Sequence, residues 1–144
     1  MSKFTLDIQA FVAKAKKNPE TVMRSVSLKL FSAIIKASPV DTGRFRGNWQ
    51  TTGVTPATGL IAGVDPTGNK AVNSAATFIT NAPGWDTFTL TNNLPYAATI
   101  EFGGYPGTGP NTVGGFSKQA PQGVVRVNIT RFNTLLNEEA AKVR

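Results

Sequence analysis

Residues 38–49 read SPVDTGRFRGNW, and the folding of this stretch decides the architecture of the chain. Ahead of it, apolar residues recur every three or four positions; beyond it, threonine, valine, glycine and proline take over. A residue preceding proline avoids the helical region, so a helix is expected to stop before Pro39. Asp41 suits a turn in which its side chain accepts a backbone N–H two residues on, and Gly43 can take a positive φ at no steric cost. If the following segment is extended, Phe45 points inward and Arg44 and Arg46 share the opposite face. Trp49 then enters the core. The stretch reads as a change of direction between helices and a sheet. Two guanidinium groups on a rigid turn also suit the clamping of carboxylates on a neighbouring subunit.

Upstream, Ile8, Phe11, Val12 and Ala15 follow the spacing of one helix face. Asn18-Pro19-Glu20 marks a restart, because Asn caps, Pro fits the first helical position and Glu complements the dipole. The second helix carries Val22, Val26, Leu30, Ala33, Ile34 and Ala37 as an apolar stripe. Two helices with a tight joint are expected.

Downstream, TTGVTPATGLIAGVDPTGN (residues 51–69) suggests short strands with turns at Pro56 and at Pro66-Thr67-Gly68. Val72, Ala75, Ala76 and Ile79 then sit at helical spacing. Phe88 and Leu90 alternate with threonines, as in a half-buried strand. Asn93 and Pro95 open a helical turn expected to run through Phe102 and end at Gly103. Residues 103–117, GGYPGTGPNTVGGFS, read as a long, flexible Gly/Pro-rich loop, a kind of segment that is usually functional or disordered. In the closing segment Val125, Ile129, Phe132, Leu136, Ala140 and Val143 keep steps of three or four, which predicts a C-terminal helix. The expected fold class is α+β, with N-terminal helices and a C-terminal helix packed on a small, mainly antiparallel sheet.

The chain has 144 residues, which fits a single domain, 1–144, large enough to fold on its core alone. No apolar run approaches the roughly 18 residues of a membrane span, and the N-terminus lacks the basic start and apolar centre of a signal peptide. A soluble protein made in a cytoplasm, with no membrane partner, is expected. The net charge is +7, favouring an acidic partner. Nine of the 15 basic residues lie in the first 46, with Lys14, Lys16 and Lys17 the tightest group; between Gly47 and Ser117 Lys70 is the only one. Such lysines serve either as the wet side of amphipathic helices or as a salt-sensitive grip on nucleic acid.

Chemistry is scarce. The chain holds neither histidine nor cysteine, so Ser-His-Asp and Cys-His sites and cysteine-bound zinc are excluded. The adjacent acids Glu138 and Glu139 point apart on a helix, and no phosphate-binding glycine motif is present. No enzyme activity, cofactor or metal is expected.

The three blocks SPVDTGRFRGNW, NNLPYAATIEFGG and QAPQGVVRVNI together resemble a family of small neck and tail-completion proteins of tailed bacteriophages. The family pattern falls on Pro39 to Arg46 (with Asp41 and Gly43), on Tyr96, Ala97, Glu101, Phe102 and Gly103, and on Pro121, where a proline opens a C-terminal helix. The loop after Gly103 is longer than the pattern, and residues 55–85 match none of it. The resemblance implies a non-catalytic subunit of a ring, typically six-fold, at the head–tail junction of the virion. It would join the connector or head-closure protein on one side to the tail tube or its terminator on the other, with genomic DNA passing through the lumen. An interface is then expected in which Arg44 or Arg46 meets an acidic group such as Glu101 of a neighbour, with Tyr105 and Phe116 as anchors in a partner groove. Two alternatives stand beside it: a tail-tube terminator or other tail ring subunit, and a basic DNA-binding or packaging accessory protein.

Overall fold

A computed structural model describes residues 19–106 and 109–142, so the helix expected around Ile8 to Ala15 and the Lys14–Lys17 cluster lie outside the described residues. Helix α1, Pro19–Ala37, is the axis of the fold. Glu20 in its first turn and Lys36 in its last complement the dipole. Val22, Val26, Leu30 and Ile34 form the expected buried ridge, but the buried face is wider and also takes in Met23, Phe31 and Ile35. Ala37, expected on the stripe, is exposed. The helix stops ahead of Pro39, as its neighbour's proline requires.

After a turn, α2 (Arg44–Gly47) leads into β1 (Trp49–Thr52). A non-repetitive segment follows, closed by a turn in which Gly68 N–H donates to Asp65 O at 3.0 Å. Helix α3, Asn69–Asn81, buries Ala71, Ala75 and Ile79. Its two small residues let it lie close against α1. Strand β2, Thr89–Asn92, pairs antiparallel with β1 in the register Trp49↔Asn92 to Thr52↔Thr89. The expected run of short strands across 51–69 reduces to β1 alone. Beyond Gly53 the backbone bonds to side-chain amides rather than to a further strand.

Helix α4, Ala97–Phe102, ends at Gly103 with φ 87°, as its sequence predicts. The segment read as a loop contains a short hairpin, β3 (Thr112–Val113) with β4 (Phe116–Ser117), turned by Gly114 and Gly115, both at positive φ. The C-terminal helix is divided into α5 (Val125–Ile129) and α6 (Phe132–Lys142). Both pack on α1, with Phe132 and Leu136 in the same buried cluster as the α1 ridge. Helices with two small antiparallel strand pairs make the fold α+β. Among the described residues no helix is long and apolar enough to cross a membrane.

Candidate functional site

The opening stretch folds differently from a simple extended turn. Gly43 takes φ 95°, and a Cβ there would fall 2.5 Å from the Pro66 nitrogen, so glycine is required on both counts. Its carbonyl accepts the amides of Gly47 and Asp65, both at 3.0 Å, which joins the turn to the start of the α3 approach. The side chain that accepts the amide two residues on is Thr42, from Arg44 N–H at 3.2 Å; Asp41 is exposed instead.

Because residues 44–47 form a helical turn, Arg44 and Arg46 do not share a face: positions two apart on a helix point away from each other. This corrects the expected paired clamp. The Arg46 guanidinium turns back on the end of α1, donating to Lys36 O at 3.0 Å, to Ser38 O at 2.7 Å and to Pro66 O at 2.8 Å. Helix C-termini leave such carbonyls without partners, and Arg46 fills them. Arg44 remains exposed, with no side-chain polar contact to the described residues.

Phe45 is buried, edge-on to Trp49 at 5.7 Å between centroids and 6.0 Å from the Tyr96 ring. Trp49 is core, as expected, and its Nε1–H donates to Ser38 Oγ at 2.7 Å while that hydroxyl donates to Ile34 O at 2.8 Å. A polar chain thus runs from β1 to the last turn of α1 inside an apolar setting, where an unpaired indole N–H would be costly.

Glu101, expected to meet an arginine of a neighbour, is engaged within the chain. Its carboxylate accepts Val124 N–H and Val125 N–H at 2.7 Å and Arg126 N–H at 3.0 Å. It therefore caps the N-terminus of α5 from a distant element. Gly123 (φ 84°) makes room for it: a Cβ would lie 2.6 Å from Glu101 O. Arg126 closes the arrangement with Nη2 on Glu101 O at 2.9 Å and Nε 3.5 Å from Oε2. Pro121 is exposed and stands before α5 without opening it. Phe102 is 70% exposed, not core, with the Arg126 guanidinium 5.7 Å from its ring centroid and 5.8 Å from that of Phe116.

Between the turn and the hairpin region lies an open cleft of about 640 Å³. Phe45, Tyr96 and Ile100 line it on the core side, with Pro39 to Arg44 along one wall and Tyr105, Asn111, Thr112, Ser117 and Gln119 along the other. Gln119 staples the two walls: its Oε1 accepts Val40 N–H and its Nε2 donates to Val40 O, each at 2.8 Å. Tyr105 packs partly against the core instead of standing free. Burial, with a smaller contribution from Tyr96, holds its hydroxyl above the ordinary tyrosine range. Asp41 is the one carboxylate and Arg44 the one cation among the described residues of the lining. Among the described residues no group of three metal-ligating side chains occurs.

The sequence reading missed Gln119, Asn48 and Arg126, which tie remote segments together. A buried amide or a charged capping group has no local signature, since its partner lies far along the chain. Comparison with protein-family models, with curated proteins and with solved structures finds no match.

Proposed function

We propose that this chain is a structural subunit of a tailed bacteriophage, forming a ring at the head–tail junction that joins the connector to the tail during assembly. The observation that carries the reading is the interlocking of the three sequence blocks of the resemblance. Gln119 staples the end of the long segment to Val40; Phe45 sits against Tyr96; and Glu101 caps the helix that follows Pro121. Blocks separated by some fifty and twenty residues thus act as one unit, as expected if the resemblance extends to the fold. The ring would be six-fold, located in the virion, without catalysis or cofactor, and with DNA crossing its lumen.

Three of the described basic residues support this over the DNA-binding alternative. Of the cations in the first part of the described chain, Arg24 bonds the carbonyls of Ile79 and Ala82, Lys36 bonds Thr67 O and Asn69 Oδ1, and Arg46 caps α1. These charges serve helix ends within the fold and are less free to neutralise phosphates.

The native mass of the purified chain, measured by light scattering over a range of concentration, tests the reading. A closed species at a six-fold multiple of the 15.3 kDa chain is expected. A strict monomer that binds duplex DNA with an affinity falling steeply in salt would overturn it in favour of the DNA-binding protein.

A further inference from the structure

Trp85 stands apart from the core. It belongs neither to the buried apolar cluster nor to the partly buried side chains packed against it, whereas Trp49 is buried. Asp86 beside it is exposed and has no side-chain polar partner among the described residues. The two lie on the loop between α3 and β2, in the sequence Pro83-Gly84-Trp85-Asp86. Both ends of that loop are fixed. Arg24 of α1 donates to Ile79 O and, at 2.9 Å, to Ala82 O, and Thr89 Oγ1 donates to Gly53 O at 2.7 Å. A loop held at both ends presents an aromatic ring at little cost in ordering.

The cleft of about 640 Å³ offers the complement. Tyr96 and Tyr105 give it aromatic surface, and the Arg44 guanidinium stands at its wall with no polar partner among the described residues. Its volume is within the roughly 300–1,000 Å³ of sites that enclose a small ligand, so one indole can enter. An arginine beside aromatic side chains suits an occupant that brings an aromatic ring and a carboxylate together.

Elimination among the described carboxylates names that occupant. Glu20 pairs with Arg24 at 3.0 Å, Asp65 accepts the Ala71 amide, and Glu101 caps α5. Asp41 shares the cleft lining with Arg44. Glu138 is flanked by Asn137 and Glu139, with no aromatic residue beside it. Asp86 alone combines a free carboxylate with a neighbouring tryptophan. It also lies in the longest part of the chain without a cation: between Lys70 and Lys118 the only charges are Asp86 and Glu101. Copies of net charge +7 repel, so they can meet where an anion of one is set against a cation of the other.

The loop and the cleft lie apart within one copy. Arg24 fixes the loop beside the first part of α1, whereas Pro39 and Val40 at the cleft wall follow the end of that helix. From Arg24 to Ala37 the helix runs about 20 Å. Unlike surfaces at opposite ends of one element join successive copies head to tail, the arrangement that closes into rings.

We propose that the Trp85–Asp86 loop of one copy enters the cleft of the next, with the indole against Tyr96 and Tyr105 and the Asp86 carboxylate on the Arg44 guanidinium. This rests on the ring reading above and names the contact that would build it. The indole supplies the apolar area, and the ion pair selects which segment enters. Set against the cleft wall, that pair is screened by salt less than the exposed repulsion between copies.

Charge exchange tests the contact, read by sedimentation velocity beside thermal melting. Arg44→Glu, Asp86→Arg and Trp85→Ala should each weaken self-association at least about tenfold at unchanged melting temperature, because none of the three side chains belongs to the core. Arg44→Glu with Asp86→Arg in one chain should recover it. So should mixing the two single variants, since each then offers the charge that the other needs. Single variants that assemble as the wild type does, or reversals that neither combination rescues, would overturn the contact; a wild-type ring would then leave the ring reading standing. Rescue in open chains of no fixed mass would uphold the contact and sink the ring. A wild type that stays monomeric at every concentration would overturn both.

Discussion

Arg44 and Arg46 are chemically identical and two positions apart, yet one turn of helix gives them separate roles. Arg46 supplies four donor contacts to three carbonyls at the end of α1 and at Pro66. Replacing it with alanine leaves those carbonyls to water or to one another, and Arg46→Ala should cost about 2 kcal/mol of stability. Arg46→Lys should recover little, because a single ammonium cannot span the three acceptors. Arg44→Ala should stay within about 0.5 kcal/mol of the parent, as befits an exposed side chain. Urea titrations of the three variants check this, and equal losses for Arg44→Ala and Arg46→Ala would contradict it. The same contrast explains the sequence reading at this scale. That Phe45 and Trp49 are core follows from their apolarity, and that Gly43 is special follows from its turn. The direction of each arginine depends on whether residues 44–47 are extended or helical, a choice made by the αL entry at Gly43 and its bond to Asp65.

At the scale of elements, α5 is too short to stand alone, and no side chain of its own caps its start. Its first free amides are held by Glu101 at the end of α4, so the two helices depend on one carboxylate. Glu101→Ala should therefore cost about 1–2 kcal/mol, the scale of a lost N-cap, and the loss should be concentrated in residues 122–129. Amide hydrogen exchange checks the location: amides 124–126 should lose protection well before those of α1. Uniform loss across the molecule would contradict the capping role. The hairpin of β3 and β4 had a signal that the reading passed over. In TVGGFS, two glycines separate two β-favouring pairs, which is the pattern of a two-residue turn with positive φ. Strands of two residues carry no periodicity, so composition outweighed the motif. The split between α5 and α6 was equally silent, because apolar spacing continues across Thr130 and Arg131.

For the whole molecule, net charge and apolar surface oppose each other in any self-assembly. If copies of this chain of net charge +7 meet through apolar contacts, the remaining electrostatics are repulsive, and salt screens repulsion. Self-association should therefore strengthen between about 0.05 M and about 0.5 M sodium chloride. Assembly through arginine–carboxylate bridges would weaken over the same range. Sedimentation velocity at several salt concentrations separates the two, and weakening with salt would count against the apolar contact. The Ile61 backbone is held by Asn48, so the exposed Leu60 and Ile61 sit on a segment ordered within the chain itself.

The sequence by itself determined the class of fold, the helical identity of α1, α3, α4 and α6, the burial of Trp49 and Phe45, and the end of α4 at Gly103. These follow from local rules, since periodicity, proline and glycine act within a few residues of themselves. Tertiary structure alone decided what the polar side chains do. Asn48, Arg46, Glu101 and Gln119 each bond to backbone groups that their own local pattern does not indicate, at separations of 13, 20, 25 and 79 residues. Such a bond forms only once both ends are placed by the core, because burying either end unpaired would cost more than the bond returns. For the same reason, the exposure of Leu60 and Ile61 could not be read from their apolarity: it depends on amides from elsewhere in the chain holding their backbone in place.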